Sequence, residues 1–373
     1  MKTAKRLLPF LLLIFTLAWT GCFGSEKKEV EGVIKNELDL LKNLDSDTTQ
    51  KYISFKELFP DMTEIAEPSD EIDEVFSLFF QDFDYKILET DVDKEKGTAK
   101  STVRLMTLDA RALAEDFSAA RLRQEIFNVS DADSRSTKEN SLSLKERYLI
   151  LNKLLKKNTY ETVERNCTIE LTSTGTGNEQ TWEIKRTYSL ENDLVGGLMS
   201  YLSDPDILSP EDTLSVYLST LKKMNQDEMS NFLGVESIID TEGGVKADIA
   251  QALVEQVHSL FDYEVKECTV NGYHASVKAE ITTFDSDAIL SGYETELEGY
   301  LASADAVIDG ASKRYQKSYE MLLDSIKSNK STRTVEAEFK LTNDGASWTL
   351  EDAGTELGES IFGTLATSPV TED

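Results

Sequence analysis

Few residues in this chain of 373 could do chemistry. Cys22, Cys167 and Cys268 are its thiols, and His258 and His274 are its only imidazoles. An Asp-Tyr pair occurs twice, as Asp84-Tyr85 and as Asp262-Tyr263. A carboxylate beside a phenol can move a proton when burial tunes either group, so Tyr85, Tyr263 and Asp262 form the candidate pocket. The same pairs can serve as a core aromatic whose hydroxyl reaches the edge and an acid that caps a turn. Histidine is the usual proton mover near neutral pH. Here His258 falls where Phe80 stands in an internal repeat, which reads as a packing position. His274 alternates out of an apolar strand face and reads as solvated. The sequence holds no Cys/His pairing for zinc, no Gly-Lys phosphate loop and no serine elbow. Asp91-x-Asp93-x-Glu95 opens like a calcium loop, but its glycine comes late at Gly97 and Thr102 stands where a bidentate Glu belongs. Asp131-x-Asp133 also lacks the later ligands. The expectation is no catalytic residue, no cofactor, no metal and no enzyme.

Cys22 has a different chemistry. Lys2, Lys5 and Arg6 make a cationic start, and an apolar run from Leu7 to Leu17 follows, broken only by Pro9 and Thr16. That run falls short of the roughly 20 residues a membrane span needs. Trp19-Thr20-Gly21-Cys22 comes next, then the polar Ser25-Glu26-Lys27-Lys28. A charged head, an apolar middle and small residues before a cut are the parts of a secretory leader. With the cysteine at its end, the segment resembles the bacterial lipoprotein signal, although Trp19 stands where that family usually has Leu. The resemblance implies that residues 1–21 are removed and that a diacylglyceryl group sits on the Cys22 thiol. Residues 22–29 would then be a short tether, and the protein would lie on the extracytoplasmic face of the cell membrane. An ordinary signal peptide cut near a cysteine is the alternative.

The net charge is −30. Such a chain is repelled by nucleic acid phosphates and by anionic headgroups, which excludes nucleic acid as a partner. A hydrophobic content of 40% is enough to bury a core. The length suggests about two domains at ~150 residues each. Cys167 lies on the apolar face of a strand and reads as a buried hydrophobe. A bridge to Cys268 would have to join the two domains, and the sequence leaves that pairing open.

The elements that must position these residues occur twice. Leu41–Ile53 aligns without gaps on Leu221–Leu233, Phe83–Ile87 on Phe261–Val265, and Thr162–Glu164 on Thr334–Glu336. Leu171-Thr172 with Trp182–Ile184 aligns on Leu341-Thr342 with Trp348–Leu350. Four blocks in one order mark a tandem duplication. The expected domains are residues 30–202 and 209–365, with a linker at 203–208 and a tail at 366–373.

In the second copy Ser209-Pro210-Glu211-Asp212 is a helix start. A second helix follows from Ile249 to Leu260. Tyr273, Ala275, Val277, Ala279 and Ile281 then alternate with polar residues, as a half-buried strand does. Ala99, Ser101, Val103 and Leu105 are the counterparts in the first copy. Asn271-Gly272 is expected to be the two-residue turn before the second-copy strand. From Ile289 to Ile326 apolar residues keep to one helical face, with Gly310 as a possible bend. Tyr293, Tyr300, Tyr315 and Tyr319 on that face fit a core stripe better than a binding groove.

The order helix, helix, two strands, helical stretch, two strands, helix predicts an α+β fold. It is a four-stranded antiparallel sheet packed against helices, twice. The order and the Trp-x-Ile/Leu closing strand resemble the cystatin-like or nuclear-transport-factor-like cone. They also resemble the small modules of uncharacterised lipoproteins from low-GC Gram-positive bacteria. The leading expectation is a lipid-anchored, non-enzymatic interaction protein whose partners are the membrane, through Cys22, and an envelope protein. The runner-up binds a small hydrophobic ligand between sheet and helices. A cone-type lyase or isomerase using Tyr263 or Asp262 comes last.

Overall fold

The structure, a computed structural model, describes residues 8–44, 58–59, 70–130, 142–175, 181–235, 244–351 and 353–367. The chain divides into two compact units, residues 1–117 with 142–203, and residues 118–141 with 204–373. The stretch 118–141 belongs by repeat to the first copy but groups with the second unit, and Ile126 is buried in that unit's core.

Each unit is built on one four-stranded antiparallel sheet with its strands in chain order. The first holds β1 (Asp84–Asp93), β2 (Thr98–Leu108), β3 (Thr162–Thr174) and β4 (Thr181–Ile184). The second holds β5 (Asp262–Asn271), β6 (His274–Phe284), β7 (Thr332–Asn343) and β8 (Trp348–Leu350). The α+β class with two such modules is therefore observed. Successive side chains of a strand point to opposite faces, so one face of each inner strand can be dry. Ala99, Ser101, Val103 and Leu105 of β2 are buried, as are Ala275, Val277, Ala279 and Ile281 of β6. The next strand continues the dry face, with Val103 opposite Cys167 and Val277 opposite Phe339. The other face is wet and carries charge. Lys100 pairs with Glu170 at 2.7 Å, Arg104 with Glu164 at 3.2 Å and Lys278 with Glu336 at 3.3 Å.

The duplication extends to an irregularity. β1 has one extra residue between Ile87 and Glu89, and β5 has one between Val265 and Cys268. A bulge of this kind bends a strand and increases its twist. Sheet register also corrects two expectations. Leu105 faces Arg165 and Ile281 faces Val335, so Arg165 is the counterpart of Val335, and the Thr162–Glu164 block aligns on Thr332–Thr334, two residues earlier than expected. Asn271 pairs with His274, so the turn is Gly272-Tyr273, with Gly272 at φ +61°. Tyr273 is accordingly 72% exposed and is not part of the dry face.

Helices cover the dry faces. The first helix of the chain, α1 (Leu8–Lys42), buries Val30, Ile34, Leu38 and Leu41. The second copy repeats the stripe with Leu214, Leu218 and Leu221 on a helix from Pro210 to Lys223, capped by Ser209 as expected. The helix just before the sheet in each copy, Asp70–Phe79 and Val245–Leu260, buries Val75, Phe76 and Phe79, and Leu253, Val254 and Val257 respectively.

Ile281 has no exposed surface. We expect Ile281→Ala to cost about 2–5 kcal/mol, the usual range for truncating a buried aliphatic. Urea denaturation followed by circular dichroism would show it as a lowered midpoint.

Candidate functional site

The two Asp-Tyr pairs perform one structural task twice. Asp84 accepts from Lys42 Nζ at 2.7 Å and from the Tyr85 amide at 2.9 Å. Asp262 accepts from Lys222 Nζ at 2.6 Å and from the Tyr263 amide at 2.9 Å. The tyrosine hydroxyls reach back to the same helix. Tyr85 donates to Asp39 at 2.7 Å and to the Lys35 carbonyl at 3.3 Å, and Tyr263 donates to the Ser215 carbonyl at 3.4 Å. The lysine hydrogen bond, then the backbone amide, holds each carboxyl below its ordinary range. Burial, then the Asp39 bond, holds the Tyr85 phenol above its own. A carboxylate tied to lysine, beside a tyrosine that bonds the helix and in the first copy is reluctant to ionise, suits a clasp between first helix and first strand. Such a pair does not suit proton transfer near neutral pH.

The other candidates separate. His258 is exposed in the last turn of its helix, which corrects the packing expectation. His274 is exposed as expected, with Nδ1 3.3 Å from Thr342 Oγ1. Cys167 and Cys268 are free thiols in different units. Burial pushes the Cys167 thiol up to about 12. Burial and the neighbouring Glu211 push Cys268 up to about 11. Asp93 is tied to Lys96 at 2.7 Å, and Asp131 and Asp133 lie outside the described residues. Among the described residues no group of three or more His, Cys, Asp or Glu side chains could hold a metal ion. Cys22 lies within α1.

Among the described residues the second unit has two clefts lined by neither dry face of sheet with helix. One of about 620 Å³ runs between the Gln226–Leu233 helix and the Val245–Leu260 helix, lined by Gln226, Asp227, Asn231 and Gln251 among others. One of about 340 Å³ sits at the hairpin end of the sheet beside His274, Lys340 and Glu351.

The helical stretch of the second unit, read from the sequence as a core stripe, departs from that reading at its tip. It is three helices: α2 (Ser286–Leu301), α3 (Ala304–Ile308) and α4 (Ala311–Ser328). Its base belongs to the core, where Ile289, Leu323 and Ile326 are buried. Ser325 Oγ donates to the Ile289 carbonyl at 2.6 Å. Gly292 lets the two long helices close, since a Cβ there would come within 2.8 Å of that hydroxyl. The tip does not follow the expected core stripe. Leu301, Val307, Ile308 and Tyr315 are 53%, 85%, 80% and 48% exposed.

This exposed tip is fastened from inside. Asp309 is buried, and it accepts from Lys313 Nζ at 2.7 Å, Lys317 Nζ at 2.9 Å and the Tyr300 hydroxyl at 2.9 Å. Lys317 also sits 4.8 Å from the centre of the Tyr300 ring. The hydrogen bonds from Lys313 and then Lys317 hold the Asp309 carboxyl far below the ordinary carboxylate range. Tyr315 and Tyr319 meet edge to face at 4.9 Å, with their hydroxyls 2.9 Å apart. One carboxylate thus joins α2, α3 and α4 at the point where the aliphatic side chains turn outward. The sequence carried one signal for the break, since Asp309-Gly310 is turn chemistry.

No protein-family model matches the chain, and no curated protein matches it by sequence. Among solved structures, it is similar to a "putative lipoprotein (ycdA)" of Bacillus subtilis at 12% identity, over 75% of this chain and 96% of that one, with a TM-score of 0.30. A superposition of that quality carries no argument about function. Among the described residues no helix is long and apolar enough to cross a membrane.

Removing the Asp309 charge should loosen the tip and leave the core intact. We expect Asp309→Asn to speed amide hydrogen exchange over residues 300–317 while exchange in β6 and β7 stays unchanged. A carboxyl whose pKa is lowered on folding stabilises above its unfolded value, near 3.9, and loses that contribution as pH falls toward the folded value. Tip protection in the native chain should therefore be flat from about pH 7 to about pH 5 and weaken only in stronger acid.

Proposed function

We propose that this protein is a lipid-anchored, non-enzymatic contact protein of the extracytoplasmic membrane face, and that the α2–α4 tip is its contact surface. The observation that carries this reading is the fastened tip. Apolar side chains exposed to this degree together on a rigid support are the ordinary mark of an interaction site. A buried carboxylate with two lysines and a phenol is an expensive way to stiffen a loop that touches nothing. The Asp-Tyr pairs support the non-enzymatic side of the reading, since both are engaged in holding a helix to a strand. The lipid anchor rests on Trp19-Thr20-Gly21-Cys22 and the leader before it. Two acyl chains on one glyceryl group give stable attachment where a single chain would not. The cystatin-like description of the modules remains part of this proposal, supported by the element order and the paired sheets.

Two measurements test it. Cys22→Ser should move the protein from the membrane to the soluble fraction of the envelope, and continued sedimentation with membranes would refute attachment through that thiol. A photoactivatable residue at position 308 of the lipidated chain should form adducts in the intact envelope. An absence of adducts, with the protein correctly localised, would remove the tip from this role.

A further inference from the structure

We propose that the tip meets a phospholipid bilayer, with Leu301, Val307 and Ile308 entering the acyl region and Arg314 and Tyr315 remaining at the headgroups. This rests on the preceding reading of the tip as a contact surface and names its partner.

The chemistry of the exposed groups comes first. Val307 and Ile308 are 85% and 80% exposed and offer neither donor nor acceptor, so their occupant must be apolar. They sit on a helix of five residues, with Leu301 and Tyr315 as the other large exposed apolar side chains nearby. A specific protein interface takes roughly 20–30 residues a side. A handful of aliphatic side chains on a narrow tip falls well short of that, yet suffices for shallow insertion into lipid. Tyrosine and arginine beside an aliphatic cluster are the residues that favour the membrane–water boundary.

Charge comes second. The whole chain is at −30 and would be repelled by an anionic surface. The tip differs locally. Between Glu298 and Tyr319 the cations are Lys313, Arg314 and Lys317, and the acids are Glu298, Asp305 and Asp309. Asp309 is already committed to two of the lysines. Tyr319 packs on the core, whereas residues 311–316 are exposed. At 1.5 Å per residue the start of α4 stands roughly 12 Å beyond Tyr319. Screening at physiological salt acts over about 8 Å. A surface touching the tip therefore meets a charge-balanced, apolar end, and most of the acidic body is screened from it.

So small a contact holds weakly by itself. On a chain already confined to the membrane by Cys22 lipid it becomes an intramolecular second contact, favoured by high effective concentration.

The test uses the lipidated chain reconstituted into phosphatidylcholine and phosphatidylglycerol vesicles with brominated acyl chains, which quench tryptophan on contact. Ile308→Trp adds a reporter at the tip, and its exposure means that no packing is disturbed. Trp182 and Trp348 are buried and supply a constant background. Val270→Trp, on a 55% exposed position of β5, is the control. The expected result is loss of most of the Ile308→Trp emission in brominated relative to plain vesicles, with the Val270→Trp emission retained. Adding Val307→Asp should restore the tip signal. Equal emission from both reporters in both vesicles would overturn the proposal. If that result came with protein adducts at position 308 in the envelope, the tip would still be a contact surface, with a protein as its partner. If it came with no adducts, both readings would fall.

Discussion

Everything in each unit depends on the single dry face of one inner strand. Ala99, Ser101, Val103 and Leu105 of β2, and Ala275, Val277, Ala279 and Ile281 of β6, place small and medium side chains in a row. Small residues at the middle of a sheet let helices approach closely and let large partners such as Phe339 fill the space from the next strand. The face has no ionisable group, so nothing in it needs a charged partner or water. The cost is that this face cannot host acid–base chemistry. The same arrangement that makes the module fold well explains why its titratable residues lie on the wet face, at edges and at helix ends.

The clasp at the edge follows from that geometry. The first helix must lie across the sheet with its stripe inward, and something must set its position along the strand. Asp84 with Lys42, and Asp262 with Lys222, do this at equivalent places, and the tyrosine beside each acid bonds the helix. Exposed ion pairs contribute little free energy, so these contacts set register more than they add stability. The first copy has more in the same place, since Tyr85 also reaches Asp39. Divergence is visible elsewhere too: buried Thr90 and Ser101 bond at 2.9 Å where the second copy has Cys268 and Val277.

Most of the fold was legible because it is periodic. Alternation on β6, the stripe Leu214, Leu218 and Leu221, and the Ser209-Pro210 start all state their structure locally. The misreadings came where register decides. Asn271-Gly272 is a good turn on its own chemistry, but pairing of Asn271 with His274 moves the turn one residue on and puts Tyr273 in water. His258 shares a position with Phe80 in the repeat, yet only Phe80 is buried. The helical stretch failed for a different reason. Periodicity reports which face is apolar and not whether anything covers it, so a core stripe and an exposed tip read alike over residues 289–326. The Asp309 cluster joins residues from three helices, and no single window of sequence contains that geometry.

The claim that the tip is a contact surface can be tested most directly by its accessibility in place. Ile308→Cys and Val270→Cys would each be reacted with a membrane-impermeant maleimide, on intact membranes and again after detergent extraction. Cys167 and Cys268 should stay slow, because their thiols are pushed up to about 12 and about 11. We expect the thiol at 308 to react more slowly than the thiol at 270 on membranes and to catch up once the membrane is dissolved. An unchanged ratio of the two rates in both conditions would mean that the tip stands free in water, and would contradict its assignment as a contact surface.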